Sequence, residues 1–233
     1  MKLIFWILTL LFSMSVVAQE GTEEESKKTH YPQTKDYITF NILPIFERFA
    51  PRYGFGYIHR FTEKWAAGID ISYGNDALKI DFTDLDMIKS FEIYEIAPQV
   101  YHTFNPGRKV EQYVSVKLLY LNQTEVFINS YYSPKNDHTQ TAYDQANYKR
   151  IKLSAYLNYG IFINFNKRFG INPYAGLGIR NRKNSYSHVV NPSKYFNTPT
   201  DGFLFWDDYF RDEGRKKGGV DFVFGVKLYF RLN

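Results

Sequence analysis

The side chains in this chain with the most chemistry to offer are charges set at alternate positions along apolar segments. Asp70, Glu95, Lys117, Arg150, Lys152, Arg180, Asp221, Lys227 and Arg231 each have apolar or aromatic residues beside them in sequence. Alternation with period two is the signature of a strand, and it places all nine on the face opposite the apolar one. Charges taken out of water persist when they are paired. The order of the segments sets Arg180 and Asp221 on neighbouring strands near one rim. It sets Asp70 and Lys117 at mid-height, able to meet across an enclosed space. Both are expected ion pairs, and the nine charges are expected to fill and pin an interior.

Other constellations point less clearly to chemistry. Catalysis needs a nucleophile or an activated water beside a base. The five histidines are His30, His59, His102, His138 and His188, and Ser185-Tyr186-Ser187-His188 is the one Ser/His cluster, with no acid close in sequence. Asp207, Asp208, Asp212 and Glu213 form one acidic group, and Asp81, Asp84 and Asp86 another. Neither has the spacing of a calcium loop. No catalytic, cofactor or metal residues are therefore expected. The run Arg215-Lys216-Lys217 follows the aromatic stretch 203–210, and its charge is opposite to that of a phosphate group. Exposed aromatics beside charges suggest an interaction surface.

Strands must position these residues. The plainest is the last, 220–232. Val220, Phe222, Phe224, Val226, Leu228, Phe230 and Leu232 alternate with Asp221, Val223, Gly225, Lys227, Tyr229 and Arg231. At ~3.3 Å per residue it spans roughly 40 Å, enough to cross a bilayer with a tilt. The same alternation predicts seven strands before it, at 36–46, 52–61, 65–73, 91–104, 112–122, 150–165 and 171–180. Short connections alternate with long polar loops at 74–90, 123–147 and 181–218. That alternation puts the tight turns and both termini at one rim and the long loops at the other. The fold expected is all-β: an eight-stranded antiparallel up-and-down transmembrane β-barrel.

Composition agrees with export and with strands. Lys2, the apolar run 3–17 and the small-residue end Val16-Val17-Ala18 have the form of a secretory signal peptide, residues 1–18. Residues 19–35 open with Glu20, Glu23, Glu24 and Glu25 and carry too little apolar content to fold alone, so a flexible periplasmic lead is expected there. Residues 36–233 form the barrel. The chain has no cysteine, which excludes a disulfide framework and cysteine-ligated zinc. Its 20 tyrosines and 21 phenylalanines favour strands and mark membrane interfaces. The net charge of +5 is spread along the chain without the clustering of a nucleic-acid site.

A soluble eight-stranded barrel of the lipocalin kind would show the same period with its apolar face inward, but volume argues against it. An eight-stranded interior is only just wide enough to be filled by side chains. It has no room for the Phe, Tyr, Ile and Leu of all eight strands, whereas the opposite face offers glycine, alanine, serine, asparagine and the nine charges. The apolar face is therefore expected to meet hydrocarbon.

These features, over 36–233, resemble the small outer-membrane β-barrel proteins of Gram-negative bacteria, the OmpA/OmpX-like class. The last strand resembles that class's assembly signal, polar-x-Gly-x-x-hydrophobic-x-aromatic, at Gly225, Leu228 and Phe230. Val223 stands where a polar residue is usual, and three residues follow Phe230. The resemblance implies an outer-membrane location with periplasmic termini and extracellular long loops. It implies the barrel assembly machinery and outer-membrane lipid as partners; the charge of Arg215, Lys216 and Lys217, opposite to that of lipopolysaccharide phosphates, makes these three the expected lipopolysaccharide contacts. A structural or surface-interaction role is expected. A small-solute channel and a lipid A-modifying enzyme are the alternatives. The latter needs a His/Ser/acid set on the membrane face near the outer rim, and His59 and His102 are expected at the other rim.

Overall fold

The structure is a computed structural model that describes residues 35–46, 50–78, 88–135, 140–195 and 212–232. The expected signal peptide, nearly all of the 19–35 lead, His30, His138, the Asp81–Asp84–Asp86 group, Asp207, Asp208 and the aromatic stretch 203–210 lie outside the described residues.

Nine strands form one antiparallel sheet: β1 (Asp36–Asn41), β2 (Tyr53–Arg60), β3 (Trp65–Asn75), β4 (Ile88–Thr103), β5 (Val110–Tyr132), β6 (Gln140–Asn164), β7 (Phe169–Val190), β8 (Ser193–Tyr195) and β9 (Gly214–Leu232). Their order is β5-β4-β3-β2-β1-β9-β7-β6, and pairing of β5 with β6 closes the ring. The short β8 adds to the upper end of β6 alone. The result is a closed eight-stranded antiparallel barrel.

The register fixes the stagger. Cross-strand partners traced once around the wall run from Leu232 through Asp36, His59, Ala67, Val100, Val116, Leu157 and Leu177 to Phe222. The path returns to β9 ten residues from where it began (232 − 222). Eight strands so staggered tilt strongly from the axis and leave a bore that side chains fill.

The two faces divide as the alternation predicts. On β9, Val220, Phe222, Phe224 and Phe230 point outward, with Phe224 76% exposed, while Lys227, Tyr229 and Arg231 are buried inside. Ile71, Ile96, Val116, Leu118, Leu157 and Leu177 continue the outer apolar band. Exposed aromatics border it at both edges. Phe61, Trp65, Phe104, Phe165 and Phe169 lie toward the tight turns, and Tyr53, Tyr73, Tyr94 and Tyr120 toward the other rim.

The structure corrects the sequence reading at the upper rim. Residues 123–132, 140–147 and 181–190, expected as loops, are strand, and they carry β5, β6 and β7 to 23, 25 and 22 residues. Their backbones pair with each other, so no donor is orphaned by leaving the apolar band. The first strand is shorter than expected. It ends at Asn41, and a 3₁₀ turn, Leu43–Phe46, takes the chain over the rim with Pro44 inside it. Pro44 has no N–H to give a ladder. A bulge between Arg180 and Arg182 faces Gly218, which adopts φ +69°. That left-handed conformation is one glycine accepts without penalty.

Candidate functional site

The site that the barrel builds is its lumen, filled by three groups of crossed ion pairs. At mid-height, Lys227 Nζ donates to Asp70 Oδ2 at 2.6 Å and Lys117 Nζ lies 3.7 Å from the same oxygen. These residues come from β9, β3 and β5, so the contact spans the bore. All three are buried, Asp70 to 2% exposure and Lys227 to 1%. The Tyr174 ring of β7 lies 5.5 Å from Lys227 Nζ and 5.8 Å from Lys117 Nζ, which lets its π face share the two charges.

Toward the tight turns, Glu111 takes Arg60 at 2.7 Å and Arg231 at 3.5 Å. Asn164 accepts from both Arg231 and Tyr229. An aromatic layer closes this end: Tyr37, Tyr101, Tyr113, Phe162 and Tyr229 pack with centroids 4.9 Å apart for Tyr113–Phe162 and 5.4 Å for Phe162–Tyr229. Toward the other rim, Asp221 takes Lys152 at 2.5 Å and Arg180 at 3.2 Å, and Tyr156 donates its hydroxyl proton to the same carboxylate at 2.6 Å. Arg52 and Glu95 make a fourth, one-to-one pair at 2.9 Å.

The structure therefore brings Asp70 to Lys117 and Arg180 to Asp221, and it adds the partners that sequence reasoning missed. Lys227 is closer to Asp70 than Lys117 is. Glu95 finds Arg52, and Arg231 finds Glu111. Glu111 escaped because it flanks the strand read at 112–122, and Arg52 and Arg60 because they lie at the ends of the strand read at 52–61. Arg150, 3% exposed, lies inside near the upper rim with Arg182 and Glu125, which fell in stretches expected as loops. Tyr174 was visible only as another aromatic on the inner face.

Gly225 acquires a structural reason here. A Cβ built on it would stand 2.4 Å from the Tyr174 ring, so the ring that covers Lys117 and Lys227 needs a glycine opposite. Leu228 and Phe230 face outward on the same strand, Phe230 fully in the exposed band. For Arg215 and Lys216 the backbone register is defined, Lys183 opposite Arg215 and Arg182 opposite Lys216, while Lys217 falls at the bulge.

Above the ion groups the three tall strands enclose a tyrosine cluster. Tyr132 and Tyr186 stack with centroids 4.4 Å apart, and Tyr148 lies 5.3 Å from Tyr186. Burial pushes the Tyr143 hydroxyl up to about 12, and raises that of Tyr186 as well.

The histidines are scattered. His59 bonds Asp36 at 2.8 Å on the outer face by the tight turns, and His102 packs at a tilt against Trp65 at the same end. His188 lies 3.4 Å from Asn147 on the tall wall. Among the described residues no group of His, Asp and Glu is placed to hold a metal ion. A depression of about 380 Å³ lined by Ile96, Pro98, Leu118, Leu153 and Ile179 lies on the outer wall, not in the bore.

The fold and its interior define a class: a closed eight-stranded antiparallel barrel, apolar outside and ionic inside. Compared by sequence with known proteins, the chain matches no family model and no curated protein.

Proposed function

We propose that this chain is an outer-membrane β-barrel protein of a Gram-negative envelope, exported by the signal peptide at 1–18, with a structural or surface-interaction role. The observation that carries the reading is the outer belt. From Val220 to Phe230 on β9 the outward residues are apolar. Ten residues at ~3.3 Å, tilted by roughly 40°, stand about 25 Å tall, the height of the apolar band of such barrels. Aromatic girdles at both edges fit headgroup depth. In water, that much contiguous apolar surface is untenable for a monomer.

In this reading the tight turns and termini are periplasmic, and the tall wall of β5, β6 and β7 is extracellular. The wall is the surface on which a partner acts. Lys149 and Lys183 are exposed just above the belt, and Lys183 is in register with Arg215. The register of Arg215 with exposed Lys183 supports lipopolysaccharide contact by Arg215 of the run Arg215-Lys216-Lys217, whereas Lys216 is in register with the inward-facing Arg182. Gly225, Leu228 and Phe230 serve recognition by the barrel assembly machinery. Three crossed ion groups and an aromatic layer across the bore favour a plug over a small-solute channel. His59 and His102 lie far from the tall rim, and His188 on the tall wall faces Asn147 and not a carboxylate, which favours a non-enzymatic role over lipid A modification.

The test is the behaviour of the purified full chain. Folded protein should need detergent to stay dispersed and should migrate faster on a gel before boiling than after. A chain that is monodisperse in plain buffer overturns the proposal.

A further inference from the structure

The outer wall is not smooth. At the upper edge of the apolar belt a depression of about 380 Å³ crosses β4, β5, β6 and β7. That volume falls within the range of small-ligand sites, about 300–1,000 Å³. Two shallow points make it. On β6, Ala155 stops at Cβ, between Leu153 and the facing Ile179, which stand out at 50% and 65% exposure. On β4, Pro98 lies where the pairing with β5 steps from Ile96–Tyr120 to Gln99–Lys117, and proline has no N–H to give a ladder. The depression is apolar up to Asn181, which lines its upper end. Asn181 Oδ1 accepts the Gly218 N–H at 3.2 Å, which leaves its NH2 to donate elsewhere.

Above that end the wall is cationic. Lys183 stands two residues beyond Asn181 on β7, roughly 7 Å higher by the rise of a strand. Lys149 of β6 pairs with Ser185, so it is the diagonal neighbour of Lys183, about 7–8 Å away by backbone. Both lysines are exposed, and neither has an ion-pair partner among the described residues. Their cross-strand partners, Thr124, Ser185, Ile151 and Arg215, include no carboxylate. An apolar slot that ends beneath two cations matches an amphiphile whose hydrocarbon lies below its negative charge.

We propose that this face seats one phosphate-bearing lipid, with an acyl chain in the depression and the phosphate on Lys183 and Lys149. The inference rests on the reading of the belt as the hydrocarbon-facing surface, and it adds a defined seat to that surface. A lysine ammonium reaches phosphate as a point charge on a long stem, so two lysines set diagonally can converge on one group. Free phosphate gains nothing from the slot, and a zwitterionic lipid gains little from the lysines. Both halves are needed, which separates this seat from the rest of the belt.

The test is native mass spectrometry of the full chain in a non-ionic detergent, offered phosphatidic acid or phosphatidylcholine with the same acyl chains. Wild type should retain one phosphatidic acid, preferred about tenfold, and inorganic phosphate should not displace it. Lys149→Gln with Lys183→Gln should remove the preference, a loss of about tenfold or more. Ala155→Phe fills the slot and leaves both lysines; it should lower retention by about fivefold or more. Ile71→Phe, in the belt on the short side, should leave retention unchanged. Equal retention of the two lipids, displacement by inorganic phosphate, or full retention in a folded Ala155→Phe overturns the proposal. So does a chain whose slot is covered by a second copy, seen as a dimer that Ala155→Phe separates. Should Ala155→Phe not fold, the lysine pair, on the exposed wall, decides alone. A chain that needs detergent but shows no lipid preference loses this inference and keeps the membrane reading, whereas one monodisperse in plain buffer loses both.

Discussion

The short and tall sides of the barrel differ in height but share one belt. β1, β2 and β3 have 6, 8 and 11 residues, and β5, β6 and β7 have 23, 25 and 22. On both sides the outward residues are apolar over the same band, Phe55 and Ile71 on one, Leu118, Leu157 and Leu177 on the other. Above the band, the short side turns back. The tall side keeps its ladder while its outer face changes to Thr124, Lys149, Lys183 and Ser187. Inside, tyrosines replace ion groups as the filling. Strand length and belt height are thus set by different forces. Backbone pairing and inner packing decide how far a strand runs; the outer side chains decide where it suits a hydrocarbon surround.

The comparison can be broken most severely in the bore. Asp70→Ala removes the carboxylate shared by Lys117 and Lys227 and leaves two buried ammoniums opposed. The expected cost is about 3–5 kcal/mol, read as a fall in the temperature at which the compact gel form disappears. If that temperature is unchanged, the crossed ions do not hold the barrel. A pair of outer-face substitutions separates belt from wall. Phe224→Lys, near the middle of the belt, should cost roughly 2–4 kcal/mol of stability in a bilayer. Lys183→Ala, on the wall, should stay within about 0.5 kcal/mol. Equal effects in denaturant titrations would erase the division between the two.

The smallest effect should be confined to the wall. Because the folded-state value for Tyr143 lies above the usual 10.0, at about 12, its burial stabilises fully below pH 10 and loses that contribution as pH rises toward 12. Tyrosinate absorbance should therefore show late titration of the wall, with local loss of its structure before the barrel opens. Tyr143→Phe should remove that alkaline sensitivity, and an unaltered profile would show that the wall is held by other contacts.

Legibility in the sequence followed the contrast between faces. Where one face is apolar and the other polar, as at Val220–Leu232 or Leu153–Phe165, alternation located the strand and its sides. From Gln123 and Asn181 onward polar and apolar residues fall on both faces, the contrast vanishes, and the strands there read as loops although their ladders continue. Nine inner charges were found by the same contrast. Arg52, Arg60, Glu111, Glu125 and Arg182 were missed because they stand at or beyond the segments where it holds.

Alternating chemistry determined that this chain forms an eight-stranded barrel with two segregated faces, because a period of two sorts oil from charge, and the narrow bore of eight strands turned the ions inward. Which ion meets which, how high the wall rises and why Gly225 faces Tyr174 were decided by the ten-residue stagger. Stagger and closure bring together residues more than 150 positions apart, such as Asp70 and Lys227, and no local pattern encodes that meeting.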